Sequence, residues 1–80
     1  MADTIQRLRA ILASTGLSRS TIYLRIAQGV FTKPVSLGGR AVGWPASEVA
    51  TLNAARIAGK SDADVRNLVA KLEAARKTVE

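Results

Sequence analysis

The chain of 80 residues carries 12 Lys plus Arg against 6 Asp plus Glu, a net charge of +6, and 48% of its residues are hydrophobic. That is room for one small domain, and it is too apolar for a disordered segment. Cys and His both number zero, which excludes disulfides, thiolate nucleophiles, imidazole bases and zinc sites built on either ligand. No apolar run approaches the ~20 residues of a membrane span, and residues 1–9 are too polar for a signal peptide. A cytoplasmic protein with no membrane partner is expected.

The first helix is expected over 5–14, where Ile5, Leu8, Ile11 and Leu12 recur at i, i+3 and i+4 spacing. Gly16, within Thr15-Gly16-Leu17, stands where a left-handed residue ends a helix. Ser18 is then the N-cap of a second helix over 19–28, its hydroxyl placed to accept from the amide of Ser20 or Thr21. Ile22 and Ile26 face inward, and Gly29 is the stop. Two helices joined by a short turn that includes glycine outline a helix-turn-helix.

From Phe31 to Trp44 the period changes. Val35 and Leu37 share one face of an extended segment, Val42 and Trp44 one face of another, and Gly38-Gly39 supplies the positive φ of a tight hairpin. Pro34 makes the first strand short or an edge, and Arg40 falls at or beside the tip. Trp44 is the expected core anchor, with Phe31 also in the core. A third helix over 46–58 follows Pro45 and Ser47, with Val49, Leu52 and Ile57 as its apolar residues.

After Gly59-Lys60, Ser61 caps a fourth helix over 61–79. Asp62 and Asp64 near its start and Lys71, Arg76 and Lys77 toward its end complement its dipole, and Asp62–Arg66 and Glu73–Lys77 are i, i+4 pairs. Val65, Leu68, Leu72, Ala75 and Val79 step 3, 4, 3, 4, an a/d seam. So short a seam fits a helix packed back on the third, or one that self-associates with Val65, Leu68, Leu72 and Ala75 as oligomerisation residues. The expected fold is mainly α with a small β-hairpin: a winged helix-turn-helix in 1–58, then a C-terminal helix in 59–80.

Charge is unevenly spread. Residues 1–44 hold Arg7, Arg9, Arg19, Arg25, Lys33 and Arg40 against Asp3 alone, a net +5, whereas residues 45–80 hold six basic and five acidic residues, a net +1. Such asymmetry points to a polyanionic partner, nucleic acid foremost. The second helix of a helix-turn-helix enters the major groove with its N-terminal residues at the base edges. Here these are Ser18, Arg19, Ser20 and Thr21. Arginine grips guanine O6 and N7 together, and hydroxyls bond phosphates while still capping the helix. Tyr23 lies at the boundary of the buried face, with its ring packed inward or its hydroxyl at a phosphate. Arg25 and Lys33 are candidate backbone contacts, and Arg40 is a candidate for the minor groove.

The same basic face can instead meet acidic protein, as in an anti-repressor or a subunit docking on a polymerase or recombinase. Catalysis has little to stand on. Asp62 and Asp64 lie two apart at a helix start and do not share a face, and Gly38-Gly39 is not followed by Gly-Lys-Ser/Thr. No enzyme, cofactor or metal is expected.

The segments GLSRSTIY (16–23), QGVFTKPVSLGGRAVGW (28–44) and SEV (47–49) together resemble the AlpA family of phage-type regulators, related to small winged-helix excisionases and MerR-like DNA-binding domains. The resemblance covers roughly residues 7–58. It implies a recognition helix at 18–28 and a wing at 31–44. It also implies a transcriptional regulator of a prophage or integrative element, or a recombination directionality factor (excisionase), that binds and bends double-stranded DNA. Several copies on repeated sites, and an integrase or RNA polymerase as further partner, fit the same picture. Ser18, Arg19, Ser20, Thr21 and Tyr23 fall on the family's DNA-facing helix, Arg40 on its wing-tip arginine and Trp44 on its structural tryptophan. Three departures stand out. Leu24 precedes Arg25 where many members have a basic residue directly after the tyrosine, Thr32 replaces a proline after Phe31, and Leu52 stands where a tryptophan is frequent. Residues 59–80 extend beyond the usual module.

Overall fold

A computed structural model describes residues 4–78. Its order is β1 (Ile5–Gln6), α1 (Leu8–Thr15), α2 (Arg19–Ala27), β2 (Val35–Ser36), β3 (Val42–Pro45), α3 (Ala46–Ile57) and α4 (Asp62–Ala75), with a closing 3-10 turn over Arg76–Thr78. This is the winged helix-turn-helix arrangement with a C-terminal helix. Among the described residues no helix is long and apolar enough to cross a membrane.

The first helix begins later than its periodicity suggests. Ile5 and Gln6 instead pair antiparallel with β3, opposite Pro45 and Trp44, and the Ala46 amide donates to the Thr4 carbonyl at 2.7 Å. The cause lies in β3. Gly43 has no side chain, and a Cβ there would stand 2.5 Å from Ile5 Cγ2 and 3.0 Å from the Gln6 carbonyl oxygen. The bare backbone lets β1 close onto the strand. Its other edge holds β2 in the register Val35↔Gly43 and Ser36↔Val42, so β3 is the middle of a three-stranded sheet. Gly38 and Gly39 turn the hairpin with positive φ.

Helix ends follow the chemistry read from the sequence. Gly16 is left-handed (φ 72°) and its amide donates to Leu12 O. At the end of α2 the Gly29 amide donates to Ile26 O and the Val30 amide to Arg25 O, the paired bonds of a Schellman motif. Gly59 and Lys60 close α3 the same way, donating to Arg56 O and Ala55 O. Ser61 caps α4 by accepting from the Asp64 amide at 3.1 Å.

Trp44 anchors the core. It is fully buried, its Nε1 donates to Thr32 O at 2.9 Å, and Phe31 meets it edge-on at 6.3 Å between ring centroids. Ile11, Ile22, Val30, Val49, Leu52, Ala55, Val65 and Val69 complete the buried cluster, and Ile26, Leu68 and Leu72 pack against it. Ile57 departs from expectation, standing 88% exposed. It lies about 200° round α3 from buried Ala55, on the solvent side, at 3.6 residues per turn.

The C-terminal helix turns toward this same core. Val65 and Val69 are buried, Leu68 and Leu72 are half-buried, and Ala75 is exposed, while Val79 lies outside the described residues. The apolar face therefore runs Val65–Val69–Leu72 at helical period, and the side chains expected at a self-association seam are, Ala75 apart, turned onto the chain's own core. Nor do the expected helix pairs form as written. Asp62 pairs with Arg56 at 3.0 Å, and Glu73 accepts from the Lys33 amide at 2.8 Å.

Candidate nucleic-acid interface

Residues 4–47 contain no Asp or Glu and six basic residues. Arg7, Arg9, Arg19, Lys33 and Arg40 are exposed, and Arg25 is half-buried. Among the described residues the acids all lie beyond Ser47, where Glu48 and Asp62 are engaged with arginines and Glu73 with a backbone amide. The positive potential of helix, turn and wing is thus left unneutralised from within.

The start of α2 is built around Ser18. Its extended backbone (φ −80°, ψ 163°) turns the hydroxyl over the first turn, where Oγ accepts from the Thr21 amide at 3.3 Å. The same oxygen lies 2.9 Å from Thr21 Oγ1 and 3.3 Å from Ser20 Oγ. Three of the residues singled out in the sequence are therefore gathered into one hydroxyl cluster, with Arg19 exposed beside it. No acid occupies the first turn. The arrangement is suited to an anion, because the positive end of the helix dipole and short hydrogen-bonding groups converge there.

Tyr23 is 39% exposed, at the edge between core and solvent. Arg25 turns back along the body. It lines one hollow with Thr21, Leu24 and Gln28, and another with Leu17, Phe31 and Asn53. Lys33 and Arg40 belong to the second element, reached through Gly29 and the buried stretch Val30, Phe31 and Thr32. Arg40 stands on the exposed turn after Gly38 and Gly39.

Two features lay outside the sequence expectations. Leu24 is 56% exposed on α2. The helical wheel already placed it opposite Ile22, and this signal was available. The other is a brace from α4. Arg66 Nε donates to Gln28 O at 3.0 Å, capping the C-terminus of α2 from another helix. Arg76 Nη2 donates to Lys33 O at 2.7 Å and forms, with Nε, a two-pronged pair with Glu48 at 2.6 and 2.8 Å. Hydrogen bonding to Glu48 raises the Arg76 pKa, against the opposing pull of desolvation. Contacts so distant in sequence leave no local pattern.

Residues 4–57 match the family of the prophage CP4-57 regulatory protein (AlpA). The chain belongs to the AlpA family. That matched stretch holds α1 to α3 and the wing, so the α4 brace on this AlpA-family head lies beyond it. The chain is also similar to the uncharacterized protein ORF88 of Enterobacteria phage P4, 50% identical over 54 residues. The aligned part is 68% of this chain and 61% of that relative's length. No solved structure gives a significant match.

Proposed function

We propose that this AlpA-family chain is a sequence-specific double-stranded DNA-binding protein of a prophage or integrative element, acting in the cytoplasm as a transcriptional regulator or recombination directionality factor. One observation carries the reading: residues 4–47, which hold the helix-turn-helix and its wing, contain six cations and no acid. A solvated basic surface that served only solubility would not need residues 4–47 kept clear of every carboxylate. Membership of a family named for a prophage regulatory protein supports the same reading.

In this account α2 enters the major groove, with Arg19 at a guanine edge and Ser18, Ser20 and Thr21 on phosphates at the helix start. Arg40 enters the minor groove from the wing tip, and Lys33 and Arg25 neutralise backbone charge. Two points of purchase on adjacent grooves favour a bent duplex, and binding involves no chemistry on DNA. A head this small makes few base contacts, so several copies on repeated sites supply the ~10³–10⁷-fold preference typical of specific binding.

The test is selection of a preferred site from random duplex DNA, followed by competition with a shuffled duplex. One enriched motif, retained against the shuffled sequence, is the expected result. Failure to enrich any motif, with binding instead to acidic protein, would replace DNA by a protein partner.

A further inference from the structure

Leu24 lies about 200° round α2 from buried Ile22 and about 160° from Ile26, at 3.6 residues per turn. That puts it at the centre of the outward face. Ser20 stands one turn before it and Gln28 one turn after, and all three are exposed. A lone exposed leucine on a protein surface is ordinary. This one differs in its setting, the middle of an α2 face shared with Ser20, Thr21 and Gln28, on a helix that carries no acid.

If α2 occupies the major groove, the centre of that face meets base edges rather than phosphates. Those edges present nitrogen and oxygen donors and acceptors, with one prominent apolar group, the 5-methyl of thymine. An isobutyl group laid over any polar edge atom strips its water and returns no hydrogen bond, which is unfavourable. Laid over thymine, it covers a methyl instead. We propose that Leu24 reads a thymine, packing on its 5-methyl at one fixed position of the site and discriminating against other bases there. The assignment rests on the DNA reading proposed above.

Deoxyuridine tests it, because it removes the methyl and keeps the base pair. Each thymine of the selected duplex is replaced singly, and affinities are measured for the wild-type chain, Leu24→Ala and Leu24→Met. At one thymine the replacement should weaken wild-type binding about fourfold, the ratio that one buried methyl carries. Leu24→Ala should bind the thymine and uracil duplexes alike, while Leu24→Met keeps most of the difference. Leu24 is exposed and alanine favours helix, so the variant retains the fold, as circular dichroism will confirm. A wild-type chain indifferent to every replacement overturns the assignment, as does Leu24→Ala keeping the full effect. A defect seen only on multi-site DNA and blind to uracil also overturns it, making Leu24 a contact between copies. A chain that selects no duplex at all fails differently, by removing the DNA reading itself.

Discussion

At Arg19 a single guanidinium, exposed at the first position of α2 and with no acid in that turn, has nothing within its own helix to hold it away from a ligand. Arg19→Ala should therefore cost about 1–3 kcal/mol of affinity for the preferred duplex, with a smaller loss on shuffled DNA. Equal loss on both would make Arg19 a phosphate contact only. Thr32 raises a question of stability. It is fully buried, and its Oγ1 has no hydrogen-bond partner among the described residues, although its carbonyl accepts from Trp44. An unsatisfied buried hydroxyl costs about 1–3 kcal/mol. Thr32→Val should thus raise the thermal midpoint by several degrees; a lower midpoint would mean that the hydroxyl is satisfied in solution. Single residues were also where the sequence was most legible. Gly16, Ser18, Gly38 and Trp44 declare their roles because each role depends on local backbone geometry or on the bulk of one side chain.

Elements were legible where a local pattern governs them and opaque where a distant partner does. The starts of α2 and α4 follow from the serine caps, and the hairpin follows from its glycines. β1 is two residues long, too short for alternation to register, and it exists because Gly43, far along the chain, admits it. Gly43→Ala should push β1 off the sheet and lower the thermal midpoint. The brace from α4 is the second such case. Arg76→Met leaves Glu48, whose side chain is 6% exposed, unpaired. The expected cost is about 3 kcal/mol, a large share of the ~4–12 kcal/mol available to a chain of this size. Adding Glu48→Leu should recover much of it, since an apolar pair of similar volume replaces a buried ion pair at little or no net cost. If the double variant is no more stable than the single one, the Arg76 bond to Lys33 O dominates instead. Arg66→Met should loosen the end of α2 by about 1 kcal/mol and weaken DNA binding with it, checked by chemical denaturation beside affinity.

Across the whole molecule, charge and burial divide the labour. Residues 4–47 keep five of their six cations exposed and hold no acid, while the carboxyl-terminal half uses acids and two of its arginines to hold α2, the foot of the wing and α3 together. The first part of this division was plain in the sequence as a net +5 against +1. The second was not, because an amphipathic helix with two heptads of apolar residues reads equally well as a seam for another copy. Only the observed rotation, with Val65 and Val69 both buried, places its apolar face on the chain's own core. The central claim is that this acid-free stretch, residues 4–47, grips duplex DNA, and salt reads it most directly. Affinity for the selected duplex, measured between about 50 and 200 mM monovalent salt, should fall log–log with a slope of about −0.9 per phosphate contacted. Several phosphates should be counted, and Lys33→Ala should flatten the slope by about one contact's worth. A binding curve indifferent to salt, or one identical for the selected and shuffled duplexes, would contradict the account.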